Sequence, residues 1–264
     1  VATARQQALQ PARSPRLPLV AAGEVVGSVA ERFLDQIGLK PLFYKHSLLL
    51  KKDHIGAPAW HLEVAADEIT PALNALASAL RDQGLCGPWR GEQLAVCNAA
   101  GDMVGTVERG AVRVLGITTR AVHLVGQAPD GRLWVQKRAM TKPNNPGQWD
   151  TLMGGMVSAA DTLQQALARE TWEEAGLRVD ELHHLTHGGH VAFSRPSREG
   201  DGAGFMVERI DWFHAVVPAG LRPDNQDGEV ECFALLHPDD VCERVAQGAF
   251  TLEAGLVLAE FCGV

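Results

Sequence analysis

The stretch from Gly154-Gly155 to Gly176 constrains this chain more than any other. A helix is expected over Asp161 to Ala175, with Asp161-Thr162 as its N-cap and Gly176 as its stop. Along it, Leu163, Ala166, Leu167, Glu170 and Glu174 fall at i, i+3, i+4, i+7 and i+11, which is one stripe. The stripe is apolar for two turns and then turns into carboxylate. Glu173 flanks it at about 60° on a 3.6-residue helix. Glutamates clustered on a helix commonly form a solvated face. A solvated face, however, lies opposite an apolar stripe, whereas this one continues it. Carboxylates converging beside a core repel one another and lose hydration unless a hard cation binds them. Oxygen-only ligands suit Mg²⁺ or Mn²⁺, which keep waters and bridge to phosphates. Arg169, one turn before Glu173, is placed to orient that carboxylate.

Charge narrows the partners. The chain has 264 residues with 24 Lys plus Arg against 32 Asp plus Glu, a net charge of -8. Residues 1–109 carry 11 basic and 11 acidic side chains, and residues 110–264 carry 13 and 21, so the whole excess lies in the second part. This balance excludes nucleic acid as the main partner, since phosphate backbones need a basic surface. No stretch approaches the roughly 20 apolar residues of a membrane span. The five cysteines, Cys86, Cys97, Cys232, Cys242 and Cys262, form no C-x-x-C pair, so they support neither a zinc ribbon nor a disulfide framework. They fit buried thiols in a reducing compartment, and a cytoplasmic location is expected. Leu17 to Gly23 after Arg13 and Arg16 faintly resembles a signal peptide, but the run is short and Glu24 follows it directly.

The elements divide into two groups. Residues 1–18, with three prolines, are expected to be a flexible tail. A small α/β domain of unknown role is expected over 19–109. Its parts are a helix over Val25–Ile37, strands at Leu42–Tyr44 and from Ser47, a turn at Lys51–Asp53, a helix over Asp67–Leu85, and a hairpin from Leu94 to Val107. From 110, strands are expected at Val112–Ile117, Val122–Gln127, Leu133–Arg138, Gly189–Ser194, Phe205–Val216 and Glu229–Leu236. A loop is expected over Met140–Trp149, with helices over Pro238–Ala246 and Leu252–Phe261. This order argues for an α/β fold with a mixed sheet and helices packed on it.

The spacing around the acidic helix resembles the Nudix box, which reads G, five residues, E, seven residues, R-E-U-x-E-E-x-G-U, with U bulky and aliphatic. Here Gly155, Asp161 and Arg169-Glu170-Thr171-Trp172-Glu173-Glu174-Ala175-Gly176-Leu177 occupy those places. Asp161 stands for the first Glu and Thr171 for an aliphatic residue. The resemblance implies a Nudix α/β/α sandwich over 110–264 that hydrolyses a pyrophosphate linkage in a small molecule with Mg²⁺ or Mn²⁺. It implies Glu170, Glu173 and Glu174 as metal-binding carboxylates, one of them helping to activate water, with Arg169 supporting them. It further implies the Gly154 carbonyl as a ligand and a later carboxylate, Glu229 in preference to Glu231. A metal ion would neutralise the diphosphate and acidify an attacking water.

Beyond the box, Leu115-Gly-Ile-Thr, the loop from Lys142 to Asp150, and Asn225 to Glu231 are similar to the Nudix part of fungal thiamine pyrophosphokinases. That subgroup implies thiamine diphosphate or its damaged analogues as substrate, cleaved to the monophosphate. Trp149, Trp134, Phe205 and Trp212 are candidate stacking surfaces, Lys142 and Arg138 candidate phosphate contacts, and His187 and His190 weaker ligand candidates. The segment from Lys137 to Lys142 is the first place to look for phosphate contacts. Rival readings are a hydrolase of ADP-sugar type, a non-catalytic binding module of the same fold, and isopentenyl-diphosphate isomerase. The isomerase needs a cysteine near the loop before the box helix, and none lies around Trp149–Gly155. Homodimerisation is left open.

Overall fold

The computed structural model describes residues 8–37, 47–49 and 58–263. Strands β1 (Arg16–Ala21) and β2 (Glu24–Ala30) open the chain as an antiparallel hairpin. β3 (Ser47–Leu49) and β4 (Trp60–Glu63) complete a four-stranded sheet in the order β2-β1-β4-β3, with β1 and β4 parallel. Helix α1 (Ile69–Asp82) and the hairpin β5 (Gln93–Cys97) and β6 (Met103–Glu108) finish this module. Ile69, Leu73, Leu76 and Leu80 recur at helical spacing and are buried in its apolar core, which also takes in Leu19, Trp60, Leu94 and Val107.

Three expectations change here. Val25–Ile37 is not a helix: it is β2 followed by a 3-10 turn at Phe33–Gln36. The apolar positions satisfy a helical period, but Ala22 (φ 49°) and Gly23 (φ 84°) form a two-residue turn that pairs the segment with β1. Residues 8–18 are not a free tail. Gln10 N–H donates to the Ser194 carbonyl (2.9 Å), Ala8 is buried, and Arg16 runs inward to donate to Ser28 and to the Ala203 carbonyl (2.6 Å). Val112–Ile117 is not a strand. It follows a 3-10 turn at Arg109–Ala111 and packs into the first core, with Leu115 accepting from Ser28 N–H (2.9 Å). The expected strand at Leu42–Tyr44, the turn at Lys51–Asp53 and the first seven residues lie outside the described residues.

The second part is built on a seven-stranded mixed sheet. β7 (Thr118–Gln127) lies at its centre with β8 (Leu133–Arg138), β9 (Trp149–Asp150), β10 (Met153–Met156), β11 (His183–Pro196), β12 (Phe205–Val216) and β13 (Val230–Leu236) around it. The main order is β11-β12-β7-β8-β13; β10 pairs with β7 and β9 with β8, and only β12 and β7 run parallel. One face carries α2 (Leu163–Ala175), whose Ala166, Leu167 and Ala175 pack on Val122, Leu124 and Phe213. The other carries α3 (Pro238–Ala246) and α4 (Leu252–Phe261), whose Val241, Ala254 and Val257 pack on Val125, Val135 and Ile210. The result is an α/β/α sandwich, with the acidic end of α2 beside β10.

Candidate active site

Local chemistry fixes the start of α2. Thr162 Oγ1 accepts from Gln165 N–H (3.2 Å) while the Gln165 side chain accepts from Thr162 N–H (2.8 Å), a reciprocal capping box. Asp161 is therefore not the cap. It instead accepts from Arg169 Nη2 (2.8 Å) and Nε (3.1 Å), tying the loop to the helix two turns on. The same guanidinium reaches Glu170 (2.8 Å), Glu173 (3.2 Å) and the Met156 carbonyl (3.3 Å). Burial opposes its charge, but Glu170 and Asp161 outweigh that and hold Arg169 protonated more firmly than usual.

Glu170 and Glu174 face a cleft between α2, β7, β10 and the loop after β8. Glu174 is buried, and its Oε2 accepts from Gln136 Nε2 (2.7 Å) and Gly154 N–H (3.0 Å). Burial pushes its carboxyl up to about 7 against those two donors. Burial, then repulsion from Glu174, raises Glu170 to about 7. The glycine pair makes this approach feasible. A Cβ on Gly155 would overlap the Glu170 carboxyl, and one on Gly154 would stand 2.7 Å from the His123 ring. Glu173, expected as a third metal-binding carboxylate, does not line the cleft; its half-exposed side chain is held only by Arg169 among the described residues.

Across the cleft, Lys142 pairs with Glu229, and Arg138 donates to Asp150 (3.4 Å) and to the Asn144 carbonyl (3.2 Å). Glu229 thus borders the cleft but is engaged by a lysine, and Glu231 lies outside it, exposed and paired with Lys137 (3.0 Å). Several expected contacts are elsewhere. Trp149 packs into the core beneath Arg244 and Trp212 packs against Phe261, while Phe205 lies beneath Arg16. Trp134 packs in the opposite core, and His187 bonds Asp211 (3.3 Å). None of these, nor His190, lines the cleft.

Other cleft residues escaped the sequence reading. His123 bonds Thr151 (2.9 Å), and burial lowers its imidazole to about 4, so it is neutral. Beside it, burial raises Asp150 to about 6 despite Arg138. Glu208 is buried on β12 against Thr119 (2.9 Å), raised to about 7 by burial and then by Glu253. One signal was available: Glu208 interrupts the inward-facing row Met206, Ile210 and Trp212. Gln136, inward on β8, is the donor that orients Glu174.

Among the described residues no three His, Cys, Asp or Glu side chains already stand at metal-holding spacing. The Glu170 and Glu174 pair nevertheless fits a hard cation. Glu170 Oε1 is taken by Arg169 and Glu174 Oε2 by Gln136 and Gly154, which leaves one oxygen of each without a hydrogen bond among the described residues. Two such oxygens lining one cleft need a positive partner when ionised.

Comparison with known proteins agrees with this architecture. The NUDIX domain model matches residues 117–255. Nudix hydrolase 24 of Arabidopsis thaliana is 28% identical over 160 residues, covering 59% of this chain and 43% of that protein. An isopentenyl-diphosphate Delta-isomerase of Streptomyces coelicolor is 32% identical over 154 residues, covering 57% of this chain and 74% of that one. A solved Deinococcus radiodurans structure superposes with a TM-score of 0.51 at 22% identity, over 63% of this chain and 97% of its own, a likeness of fold. The chain spans about half the length of several curated relatives, 54% of one and 43% of another. With the domain model covering more than half of its residues, and the box helix, glycine pair and sandwich in place, the chain belongs to the Nudix family.

Proposed function

We propose that this chain is a metal-dependent pyrophosphohydrolase acting on a diphosphate linkage in a small molecule, with thiamine diphosphate or its damaged analogues, cut to the monophosphate, as the favoured substrate. The observation that carries the hydrolase reading is the pair of carboxylates, buried Glu174 and partly buried Glu170, facing a cleft whose opposite side bears Arg138 and Lys142. A bound Mg²⁺ or Mn²⁺ would neutralise diphosphate oxygens and acidify a water. Glu170 and Glu174 would hold it through their free oxygens. Gln136 and Gly154 N–H fix the Glu174 carboxylate, and Arg169 fixes Glu170. Arg138 and Lys142 can trade their acidic partners for phosphate oxygens. Glu173 and Glu229 would join the metal only after leaving Arg169 and Lys142.

The thiamine assignment rests on the motifs outside the box. The cleft is lined mostly by charged and polar side chains, and none of its described lining residues is Trp, Tyr or Phe, so the support it adds is for the diphosphate and not for an aromatic head group. The isomerase relative favours a second reading, proton transfer on an isoprenoid diphosphate. Against it, none of the described residues lining this cleft is a cysteine. No described helix is long and apolar enough to cross a membrane. A cytoplasmic location belongs to the same reading and is checked by fractionation, and light scattering decides between monomer and homodimer.

The deciding experiment is one panel: thiamine diphosphate, its oxidised analogues, ADP-ribose and isopentenyl diphosphate, each with Mg²⁺, with Mn²⁺ and with chelator. Phosphate release from thiamine diphosphates supports the full proposal. Preference for ADP-ribose would remove the thiamine assignment alone. Isomerisation without hydrolysis would replace the reaction class, and turnover of nothing with either metal would sink the enzyme reading.

A further inference from the structure

The cleft does not end at the sandwich. It continues into an adjoining recess at the seam with the N-terminal module, and Arg90, Arg109 and Arg113 border both parts, with Asn144 and Glu208 between them. Arg109 is paired with Glu92 (2.7 Å) and Arg113 with Glu199 (2.9 Å). Arg90 has an exposed side chain and no carboxylate partner among the described residues. Among the described residues its charge is the one left over at this rim.

Its position is built with care for a loop residue. Glu108, at the end of β6, is 1% exposed. Its Oε1 accepts from Arg90 N–H (2.7 Å) and from Gly110 N–H (3.4 Å). Gly87 N–H donates to the Gly110 carbonyl (2.8 Å), and a Cβ on Gly110 would stand 2.8 Å from the Pro88 carbonyl, so the two segments touch backbone to backbone. Ala159 N–H donates to the Gln93 carbonyl (2.8 Å), which joins the loop just before α2 to this module. A buried carboxylate that accepts only backbone N–H groups orders a loop; the loop it orders carries Arg90 to the cleft.

The cations of the cleft thus stand in two groups. Arg138 and Lys142 lie on the sandwich side, each already facing an acid. Arg90 lies on the module side with the paired Arg109, Arg113 is paired at the seam, and among the described residues Arg90 alone of these cations has no carboxylate partner. A diphosphate esterified at one end only presents a terminal phosphoryl group with about −1.5 to −2 charge at neutral pH and three acceptor oxygens. A diphosphate esterified at both ends lacks that dianionic terminus. We propose that Arg90 binds the terminal phosphoryl group of the substrate, so that the N-terminal module forms one wall of the active site and selects diphosphates with a free terminus over those capped at both ends. This deepens the pyrophosphohydrolase reading and rests on it for the substrate class.

The test compares the full-length protein with its Arg90→Ala and Arg90→Lys variants. Calorimetry in Mg²⁺ measures binding of methylenediphosphonate, which resists hydrolysis and has free termini, and of ADP-ribose, which has none. The side chain is exposed and unpaired, so neither substitution threatens folding. R90A is expected to weaken methylenediphosphonate binding about tenfold or more, the worth of a hydrogen bond to a charged group. ADP-ribose binding should change by less than about threefold on the same scale, and R90K should recover part of the loss. Steady-state rates on a singly esterified diphosphate should show the loss in KM with kcat nearly unchanged. Equal losses for both ligands, no loss for the diphosphonate, or no binding of it by the unsubstituted protein would overturn the assignment. Arg90-dependent binding without hydrolysis would leave the assignment standing and remove the enzyme reading, whereas hydrolysis indifferent to Arg90 would remove the assignment alone.

Discussion

At the residue scale, the site is decided by a few side chains that tolerate little change. Glu174→Gln keeps an oxygen to accept from Gln136 and Gly154 but removes the charge. Hydrolysis should fall by roughly 100-fold or more, the scale of losing a preorganised electrostatic contact. Stability should move the other way, and the direction depends on pH. The folded Glu174 carboxyl keeps its proton to about 7, the unfolded one only to 4.5. Its contribution to stability is complete below the unfolded value and is lost as pH rises through about 7. Above that, the unliganded fold carries an ionised buried carboxylate at a cost on the order of 3 kcal/mol. In chelator, E174Q should therefore melt higher than the unsubstituted protein at pH 8 and nearly with it at pH 4.5; the same offset at both values would contradict the burial argument. Gly155→Ala is the steric counterpart, since its Cβ would displace the Glu170 carboxyl. It should weaken both turnover and metal binding while α2 stays folded by circular dichroism.

At the scale of elements, α2 was legible because its information is local. The stripe, the cap region and the terminal glycine all sit within one stretch of chain, so the helix appears where the spacing places it. What the sequence hid was non-local. His123, Asp150 and Glu208 come from β7, β9 and β12, and only strand pairing brings them to one cleft, with Gln136 of β8 behind it donating to Glu174. The same cause explains the misread of Val25–Ile37. Val25, Val26, Val29, Phe33 and Ile37 match a helical period, yet Gly27 lies where a Cβ would be 2.5 Å from the Leu115 carbonyl, a contact between distant segments. Splitting of the glutamates was also invisible, because helical geometry alone does not say that Glu173 stays outside the cleft on Arg169. The C-terminal end of α2 carries its own prediction. Gly176 has φ 61°, and a Cβ there would stand 2.5 Å from the Asp224 carbonyl. Gly176→Ala should cost more than about 1 kcal/mol in denaturant unfolding, exceeding the left-handed penalty alone, because the loop at 224–226 must also undock from α2. A cost near zero would show that this loop does not bear on the helix end.

At the scale of the whole molecule, the net charge of -8 becomes a statement about one place. Glu170, Glu174, Asp150 and Glu208 are buried or nearly so around a single cleft, and each is raised in the first instance by burial. Folding without a cation therefore crowds acids that prefer to be neutral, and a divalent ion and a proton compete for the same oxygens. Binding to the folded state alone stabilises it in proportion to the logarithm of occupancy. At pH 5.5, Glu170 and Glu174 are largely protonated, because both titrate near 7, and Mg²⁺ must expel those protons first. At pH 8 both are ionised and the ion binds without that cost. The rise in Tm on adding Mg²⁺ should accordingly be several degrees at pH 8, the size expected for about 1–2 kcal/mol in a chain of this length, and close to zero at pH 5.5. The E174Q variant should lose most of the pH 8 rise, since one of the two free oxygens is then an amide. Calorimetric scans at both pH values, with a chelator baseline, measure this directly. A Mg²⁺ shift that is the same at both values, or that survives in E174Q, would place the ion away from these carboxylates. The acidity of the chain would then have to be explained as a solvated surface, and the continuation of an apolar stripe into glutamate would be left without a physical cause.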